Sequence, residues 1–552
     1  MKLIRSITQL LVFRSPFCWQ CLKKYHKSPF IVNIPDISVT EYILKDFQNY
    51  RNFTALIHGT TGEETSYPKL ESEIISVAAG FKNLGLKKHD VVCLYGTNHP
   101  EFVHVFCGVT ANGGVMTIAN SQLTSQELAF QLNDTCAKFV VATPECVTKA
   151  KEASLKTTSV NEIIVLGSAD GYRPLSQLIA TKSNHLPDIC IEPDTDAALI
   201  PYSSGTTGLP KGVVLTHTNL VSELCQLRHQ TIIPFTAGEE KSISCLPMVH
   251  IAGLMIGMLN PLTQGAATVV LPRFEPESYL KAIQDYRGTF SLIAPPIVSF
   301  FAKHPLVTHY DLSSLHTPYS GAAALSKTLT EQMVNRLNIK GIRQGYGMSE
   351  TSGAIFTDPV GTYKYGSIGK PLPNTEAKLV GIENQETITN THESGEIWAR
   401  GPQVTKGYLN NKEATQNSIT SDGWIKTGDI AYFDEDGYYF VVDRLKDIIK
   451  YKGYQISPTY LESILLSHEA VSEAAVVGVP IDVLGEVPRA YVVLKSPISE
   501  VELQKYVNER VSPYKQLRGG LEVVQEIPKL PSGKILRRRL PVQNNTIRIK
   551  NQ

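Results

Sequence analysis

Apolar and polar residues alternate along this chain with two periods, those of amphipathic helices and of short buried strands. Helical spacing predicts helices at residues 70–84, 104–111 and 127–132. Short uninterrupted apolar runs predict strands at residues 91–95, 139–142 and 163–166. Because the two kinds of segment follow one another from about residue 37, the pattern predicts an α/β fold with parallel sheets.

The pattern also indicates a second, smaller unit towards the carboxyl terminus. A boundary is predicted at residues 443–447, with a helix at about residues 459–467 and a strand at residues 474–477 after it. The chain has 552 residues, whereas a single hydrophobic core stops growing at roughly 250–300 residues. We therefore expect a large domain made of subdomains, followed by a small α+β domain.

Composition and charge exclude several classes of protein. Hydrophobic residues make up 42% of the chain and charged residues 19%, which is typical of globular proteins. The net charge of +1 gives no support for a nucleic-acid-binding surface, and the nine cysteines suit a reducing compartment. The sequence lacks an apolar run long enough to span a membrane, and its richest stretch, residues 251–262, is better interpreted as a buried helix.

The first 35 residues differ from the rest because they are basic and contain no acid. Their six cations are Lys2, Arg5, Arg14, Lys23, Lys24 and Lys27. The apolar residues of positions 3–13 fall largely on one side of a helix, and this combination is typical of a mitochondrial presequence. We expect a leader at residues 1–35 and a mitochondrial protein. The alternative is a poorly ordered basic extension on a cytoplasmic or peroxisomal protein.

The most informative segment reads Tyr-Ser-Ser-Gly-Thr-Thr-Gly-Leu-Pro-Lys-Gly, at residues 202–212. Glycines let backbone N–H groups approach an anion closely, while the hydroxyls add donors and the lysine adds positive charge. The spacing differs from a Walker A loop, in which glycine directly precedes the lysine. The segment predicts a phosphate-binding loop, with a flexible surface loop as the alternative. The residues assigned to phosphate binding are Ser203, Ser204, Gly205, Thr206, Thr207, Gly208 and Lys211.

Five further motifs follow along the chain. They are Gly-Tyr-Gly-Met-Ser-Glu-Thr at 345–351, Ser-Asp-Gly-Trp-Ile-Lys-Thr-Gly-Asp at 421–429, Asp-Arg-Leu-Lys-Asp at 443–447, Tyr-Lys-Gly-Tyr-Gln at 451–455 and Pro-Ser-Gly-Lys-Ile at 531–535. Together with residues 202–212, this series resembles the adenylate-forming superfamily of acyl-CoA synthetases, 4-coumarate–CoA ligases and firefly luciferases. The resemblance covers about residues 40–545, with the motifs in the expected order.

The resemblance implies a reaction in two halves and a fold to carry it. A carboxylate attacks the α-phosphate of ATP, giving an acyl-adenylate and pyrophosphate, and the thiol of coenzyme A then displaces AMP. The implied ligands are ATP, Mg²⁺, coenzyme A and a small carboxylic acid. The implied domains are an adenylation domain at 36–445, with α/β subdomains and a distorted β-barrel portion, a mobile small domain at 446–545 and a tail at 546–552.

The resemblance also assigns the residues that perform the chemistry. Lys534 is matched to the lysine that bridges the acid and the α-phosphate and neutralises charge in the transition state. Lys450 and Gln455 are matched to residues that face the site during thioester formation. Glu350, with Thr206 nearby, is matched to the Mg²⁺ ligand, because this hard cation prefers oxygen.

The nucleotide has its own set of matched residues. Tyr346 is expected to pack on adenine, opposite the backbone of Gly321, Ala322 and Ala323. Asp429 would accept hydrogen bonds from both ribose hydroxyls. The other residues assigned to the nucleotide are Gln344, Gly345, Ser349, Arg444 and Lys446, the last of which is matched to the hinge of the small domain.

For coenzyme A, the resemblance assigns Lys452 and Gly453 to the pantetheine channel and Arg273 to the nucleotide end of the cofactor. Arginine stands where relatives often have lysine, and it keeps the positive charge.

The acid is expected to bind near His250, which is matched to a histidine at the mouth of the acyl pocket. Ala252 and Ile256 occupy positions where 4-coumarate ligases have tyrosine and serine. Small and aliphatic residues suit an alkyl chain, so the sequence favours a medium- or long-chain fatty acid. Residues 294–301 and 352–356 are further candidates for the walls of this pocket.

Three alternatives remain at the level of sequence. The first is a 4-coumarate–CoA ligase-like enzyme for aromatic acids. The second is a luciferase-type monooxygenase, which the small residue at Ala252 disfavours. The third is a homologue without catalysis, which is disfavoured by the presence of Lys211, Glu350, Asp429, Arg444 and Lys534.

Overall fold

The fold is taken from a computed structural model, in which residues 25–203, 210–321, 325–445, 447–451, 454–481, 485–511, 513–529 and 535–540 are described. The side chains of residues 450, 454, 455 and 538 are not part of that description. The strands are β1 (His26–Lys27), β2 (Thr54–His58), β3 (Glu64–Ser66), β4 (Val91–Gly96), β5 (Val115–Asn120), β6 (Phe139–Ala142), β7 (Glu162–Val165), β8 (Arg173–Pro174), β9 (Ala197–Ser203), β10 (Lys211–Thr216), β11 (Lys241–Ser244), β12 (Ala267–Val270), β13 (Phe290–Ile293), β14 (Thr317–Ser320), β15 (Arg343–Met348), β16 (Gly353–Thr357), β17 (Lys370–Pro371), β18 (Glu376–Val380), β19 (Thr387–Ile388), β20 (Gly395–Arg400), β21 (Gly407–Tyr408), β22 (Ile425–Phe433), β23 (Tyr439–Arg444), β24 (Ile449–Tyr451), β25 (Tyr454–Ile456), β26 (Val471–Ile481), β27 (Gly485–Leu494) and β28 (Leu521–Val523).

The α-helices are α1 (Val39–Leu44), α2 (Tyr67–Asn83), α3 (Phe102–Thr110), α4 (Ser125–Asp134), α5 (Val147–Ser154), α6 (Leu175–Ile179), α7 (His217–Leu227), α8 (Asn260–Leu262), α9 (Pro276–Tyr286), α10 (Pro295–Lys303), α11 (Lys327–Leu337), α12 (Lys412–Ser418), α13 (Pro458–Leu466) and α14 (Glu500–Asn508). Every helix and strand that the sequence predicts is present. The predicted helices correspond to α2, α3, α4 and α13, and the predicted strands to β4, β6, β7 and β26.

Two mixed sheets form the frame of the large domain. Their strand orders are β21-β10-β9-β5-β4-β6-β7-β8 and β17-β16-β15-β14-β13-β11-β12-β2-β3. The central strands of both sheets are parallel, and every residue of β4 and β6 is buried, as expected where helices cover both faces of a sheet. Helices α2, α3 and α7 contribute to a core that also includes residues of β2, β4 and β5, so they pack between the two sheets.

A third, antiparallel sheet completes the large domain and supplies its barrel-like portion. Its strand order is β1-β18-β20-β22-β23, with β19 on β18. Strand β1 belongs to the segment that the sequence assigns to the basic leader. Beyond it, the Ser28 N–H donates to the Thr375 carbonyl at 3.0 Å, and the Val32 N–H donates to Asn374 Oδ1 at 3.0 Å. Residues 25–32 therefore pack on the large domain.

The small domain contains the fourth sheet, β25-β24-β27-β26 with β28 on β27, covered by α13 and α14. It follows directly on β23, the last strand of the third sheet. Asp443 in β23 accepts hydrogen bonds from Ser457 Oγ at 2.5 Å and from the Thr459 N–H at 3.0 Å. A carboxylate of the large domain thus caps the first helix of the small one.

The apolar stretch at residues 251–262 is a buried helix, as predicted, but its central part is a π-helix at Gly253–Leu259. Pro261 has no N–H to donate to the Gly257 carbonyl, and that carbonyl accepts instead from Ser242 Oγ at 3.3 Å. A Cβ at Gly253 would lie 2.2 Å from the Pro247 carbonyl oxygen, so only glycine fits there. Within the described part of the chain, no helix is both long and apolar enough to cross a membrane.

Candidate active site

The predicted phosphate loop connects two paired strands. Strand β9 ends at Ser203 and β10 begins at Lys211, and these two residues are direct partners in the antiparallel pair. Residues 204–209, which include Ser204, Gly205, Thr206, Thr207 and Gly208, lie outside the described residues. Strand β10 leads into α7, where the Asn219 N–H donates to Thr216 Oγ1 at 3.2 Å in a capping box. Both ends of the loop are therefore fixed by regular structure.

Lys211 lies close to the predicted metal ligand. Its Nζ is 5.3 Å from the centre of the Tyr408 ring, and the Tyr408 hydroxyl donates to Glu350 Oε1 at 2.8 Å. Glu350 is buried in a short 3₁₀ helix, Ser349–Thr351, that contacts β9. Burial, and after it the charge of Glu350, raises the pKa of Tyr408. The structure thus brings Ser203, Lys211, Ser349 and Glu350 together.

This arrangement fits Mg²⁺ bound together with a polyphosphate. Among the described residues, no group of three or more His, Cys, Asp or Glu could hold a metal ion. Mg²⁺ needs few protein ligands when phosphate oxygens supply the others. Glu350 offers one oriented carboxylate as a ligand for such an ion, and the neighbouring Lys211 adds positive charge for the phosphates. When bound, Mg²⁺ would neutralise phosphate charge.

The predicted ribose residues are linked by hydrogen bonds. Asp429 and Arg444 are direct partners across β22 and β23, and Arg444 Nε lies 3.2 Å from Asp429 Oδ1. The Tyr346 hydroxyl donates to Asp429 Oδ2 at 2.6 Å. Burial, and then Asp429, raises the pKa of Tyr346. The Asp429 carboxylate is thus held by Arg444 on one oxygen and by Tyr346 on the other, and its backbone is fixed in β22.

The predicted adenine edge forms where β14 and β15 end. Gly321 follows β14, and a Cβ on it would lie 3.7 Å from the Gly345 carbonyl oxygen. The Gln344 N–H donates to Asp358 Oδ2 at 3.2 Å, and burial raises the pKa of Asp358 to about 7. Gln344 Nε2 and Ser320 Oγ are buried without a hydrogen-bond partner among the described residues. Unsatisfied polar atoms at this edge fit a ligand with polar ring atoms. Ala322 and Ala323 lie outside the described residues.

His250 ends a loop that a single buried asparagine secures. Asn98 Nδ2 donates to the carbonyls of Leu246 at 2.9 Å and Leu271 at 3.1 Å, and its Oδ1 accepts from the Met248 N–H at 2.7 Å. Solvent reaches the His250 ring, yet the surrounding protein atoms lower its pKa by desolvation. The place of His250 at the mouth of the acyl pocket stays a prediction.

Ala252 and Ile256 lie on one apolar cluster, named the acyl wall here for its predicted role. Ile256 is buried and Ala252 packs against the cluster. The other members are Leu227, Ile232, Ile233, Phe235, Leu246, Phe290, Leu292, Tyr319, Ala354 and Leu372. Of the candidate walls predicted from sequence, residues 352–356 contribute Ala354.

The small domain presents its predicted residues on a hairpin. Lys450 in β24 and Gln455 in β25 are direct partners, so both lie beside the connection between the two strands. Lys446, Lys452, Gly453 and Lys534 lie outside the described residues.

Arg273, assigned to the nucleotide end of coenzyme A, lies on the surface. Its side chain is 75% exposed and pairs with Glu275 at 2.7 Å.

Sequence reasoning missed two residues of this site, Tyr408 and Asn98. Each acts through a partner that lies far away along the chain, 58 residues from Tyr408 to Glu350 and about 150 from Asn98 to Met248. The Gly-Tyr pair that opens β21 carries no catalytic signature, and Asn98 occurs in an ordinary turn sequence. Only the fold shows what they contact.

Comparison with known proteins agrees with this geometry. The model of the AMP-binding enzyme family matches residues 44–409, and that of the AMP-binding enzyme C-terminal domain matches residues 460–534. Over 537 residues the chain is 40% identical to a protein of Dictyostelium discoideum named probable 4-coumarate–CoA ligase 1, covering 93% of this chain and 96% of that protein. It is 37% identical over 525 residues to 4-coumarate–CoA ligase 2 of Nicotiana tabacum, with coverage of 93% and 96%.

Solved structures show the same architecture. ATP-bound MatB from Rhodopseudomonas palustris superimposes with a TM-score of 0.83 at 25% identity, covering 91% of this chain and 98% of that one. The anthranilate CoA ligase AuaEII in complex with anthranoyl-AMP also gives a TM-score of 0.83 at 25% identity, with coverage of 92% and 96%.

Proposed function

Because the chain belongs to the AMP-binding enzyme family, we propose a substrate for a reaction that the family already defines. The chain is an acid–CoA ligase: it activates a carboxylic acid with ATP as an acyl-adenylate and transfers the acyl group to coenzyme A. Our proposal is that the acid has an apolar body, with medium- and long-chain fatty acids as the first candidates.

The acyl wall is the observation that carries this proposal. Ala252 and Ile256 offer neither an aromatic ring nor a hydroxyl, and both lie on a cluster of aliphatic and aromatic side chains. An apolar surface gains free energy from burying methylene groups, roughly 0.8 kcal/mol for each one. A wall of this kind favours an alkyl chain over a strongly polar acid.

Aromatic acids are the second candidate, and the relatives support them. Relatives that are 36–40% identical to this chain are named 4-coumarate–CoA ligase or probable 4-coumarate–CoA ligase. A cinnamate ring is also largely apolar, so the same wall can accommodate it.

Within the nucleotide site, we propose roles that follow from the charges. Lys211 and a Glu350-bound Mg²⁺ would screen the phosphates as the carboxylate approaches, because two anions repel each other. Asp429, held by Tyr346 and Arg444, would accept the ribose hydroxyls. Lys534 would neutralise the charge that develops between the acid and the α-phosphate.

The test is pyrophosphate release from purified protein with ATP and Mg²⁺, with and without coenzyme A. The acids would span short to long fatty acids, benzoate and hydroxycinnamates. Turnover that depends on coenzyme A and is highest with fatty acids supports the first candidate, and highest activity with hydroxycinnamates supports the second.

A substitution in the acyl wall sharpens the test. Ala252→Tyr places a large ring on the acyl wall and shortens the pocket proposed for the acid. It should therefore reduce activity on long acids more than on short ones. Ala169→Tyr places the same ring at a partly buried alanine of another cluster and serves as the matched control. Equal losses at all chain lengths would remove Ala252 from the pocket.

A further inference from the structure

Helix α7 carries a buried acid that the reaction described above does not use. Glu223 is fully buried and forms no ion pair among the described residues. Its Oε1 accepts a hydrogen bond from the Ala354 N–H at 2.7 Å. Its Oε2 is also buried and has no hydrogen-bond partner within the described ranges. A buried carboxyl oxygen without a partner is costly, so it calls for an explanation.

The protonation state of Glu223 determines what it can bind. Burial raises its pKa well above the usual range of a glutamate, which favours the neutral acid over the carboxylate. A neutral carboxyl accepts through one oxygen and donates through the other. Since Oε1 accepts from the Ala354 N–H, a neutral Glu223 would carry its O–H on Oε2, the oxygen without a partner among the described residues.

The backbone makes room for this carboxyl. Gly353 has a φ of +136°, which side-chain-bearing residues rarely adopt. A Cβ on Gly353 would lie 2.8 Å from Glu223 Oε1. The glycine therefore permits both the conformation and the close approach that bring Oε1 to the Ala354 N–H.

Glu223 also borders the acyl wall. Ala354, which it contacts, is a member of the wall. Leu227 is another member and lies four residues further along α7, on the same helix face as Glu223. Tyr319 belongs to the wall as well, but its hydroxyl donates to Thr357 Oγ1 at 2.7 Å. The Glu223 O–H is thus a polar group at the edge of an apolar surface.

We propose that Glu223 is a specificity residue whose Oε2–H donates a hydrogen bond to an oxygen atom at the end of the substrate opposite its carboxylate. This inference rests on the proposed function, because it assumes that the acyl wall receives the acid. Hydroxycinnamates and ω-hydroxy fatty acids share the required chemistry. An acid that ends in a plain hydrocarbon leaves the Glu223 donor unpaired.

Two matched pairs of acids test the proposal and distinguish its two sources. One pair is 4-coumarate and cinnamate, and the other is ω-hydroxydodecanoate and dodecanoate. In wild-type protein, the ratio of kcat/KM for the oxygenated acid to that for the plain acid should be about tenfold or more in at least one pair. The pair that shows it identifies the class of substrate.

Substitutions assign this ratio to Glu223. Glu223→Leu removes the donor and should bring the ratio to about one. Glu223→Gln keeps an acceptor for Ala354 and an N–H donor, and should retain most of the preference. Gln226→Leu is the matched control: this buried side chain of α7 donates to Pro373 and Gln403, so its loss should lower stability and leave the ratio as in wild type.

Infrared difference spectroscopy adds a readout that needs neither turnover nor a stable leucine variant. The carbonyl band of a neutral carboxyl, lost in Glu223→Gln, should shift when the oxygenated acid of the preferred pair binds and stay in place with its plain partner. A wild-type ratio near one in both pairs, a ratio that survives Glu223→Leu, or a band unmoved by both oxygenated acids would each overturn the proposal. Absence of thioester formation with every acid of the panel is a different result, and it would contradict the proposed function.

Discussion

Two tyrosine hydroxyls orient the two carboxylates on which nucleotide binding is proposed to depend. Tyr346 donates to Asp429, and Tyr408 donates to Glu350, at 2.6 and 2.8 Å. A carboxylate fixed in this way loses little conformational entropy when a ribose or a metal ion binds, so binding energy is available for positioning the phosphates.

Lys534 is the residue whose loss should separate the two half-reactions. Lys534→Ala removes the charge proposed to bridge the acid and the α-phosphate, so pyrophosphate release should fall by about 100-fold or more. Thioester formation from supplied acyl-adenylate should partly survive. Lys529→Ala is the matched control, since that lysine pairs with Glu473 at 2.6 Å. Pyrophosphate release near the wild-type rate in Lys534→Ala would show that another residue performs adenylation.

Asp358 should make the stability of the protein depend on pH. Its pKa is about 7 in the folded protein against 3.8 for an ordinary aspartate, because the side chain is buried. Between these values the folded state binds more protons than the unfolded state, so the free energy of unfolding falls as pH rises. Relative to Asp358→Asn, wild-type protein should lose roughly 2–4 kcal/mol between pH 4 and 8. Denaturant unfolding at several pH values measures this difference, and parallel curves for the two proteins would contradict it.

At the scale of residues, the sequence identifies the groups that carry charge but not those that hold them. Asp429, Glu350 and Lys211 stand in motifs whose spacing is informative on its own. Tyr408 and Glu223 stand in none, because their roles arise from contacts between distant strands and helices. Hydrogen bonds across 58 and 131 residues leave no local pattern.

At the scale of elements, Asn98 joins the two mixed sheets of the large domain. It follows β4 of one sheet, and its side chain bonds both the segment after β12 of the other sheet and the loop that carries His250. Asn98→Leu should lower the free energy of unfolding by roughly 2–4 kcal/mol, because it leaves buried backbone groups unpaired. The loop would lose its anchor, so the KM for the acid should rise about tenfold while the KM for ATP changes little.

A second buried asparagine, Asn112, provides a control that separates the loss of stability in Asn98→Leu from the loss of acid binding. Asn112 donates to the carbonyls of Ala78 and Gly108, away from the His250 loop. Asn112→Leu should destabilise the protein to a similar extent and leave the KM for the acid unchanged. A similar rise in KM in both variants would mean that general destabilisation, rather than the loop, sets acid binding.

Periodicity predicted the elements better than it predicted their exact geometry. Helix α2 and strand β4 follow from spacing alone. A helix that is buried on one side shows apolar residues every three to four positions, and a strand that is covered on both faces is a short continuous apolar run. The π-helical form of Gly253–Leu259 could not be predicted in this way. All seven of its residues are buried, and a uniformly apolar segment shows no hydrophobic periodicity. Its form depends on Ser242 and Pro247, which belong to a neighbouring strand and the loop that follows it.

At the scale of the whole molecule, the basic amino-terminal segment has two parts with different expected roles. Lys27, one of its six cations, lies 3.8 Å from Glu376, and His26 bonds the Tyr439 hydroxyl at 2.8 Å. Deleting residues 1–24 keeps both of these contacts and serves as the reference for a longer deletion. Deleting residues 1–35 also removes β1 and the Val32 bonds to Asn374, and should lower the midpoint of thermal unfolding by about 2 °C or more. Equal midpoints for the two deletions would show that β1 adds nothing to stability.

We propose that the mitochondrial signal lies in the first 24 residues, which hold the other five cations and no acid. Import requires an amphipathic basic helix, whereas residues from 25 onward form part of the folded large domain. Residues 1–24 fused to a fluorescent protein should therefore reach mitochondria, and Arg5→Glu with Arg14→Glu should abolish delivery by reversing charge on the helix. The mature chain should then begin at or before Tyr25, because a later cut would remove the residues that pair with β18. Diffuse fluorescence from the unaltered fusion would contradict a mitochondrial signal here and leave the segment as a basic extension.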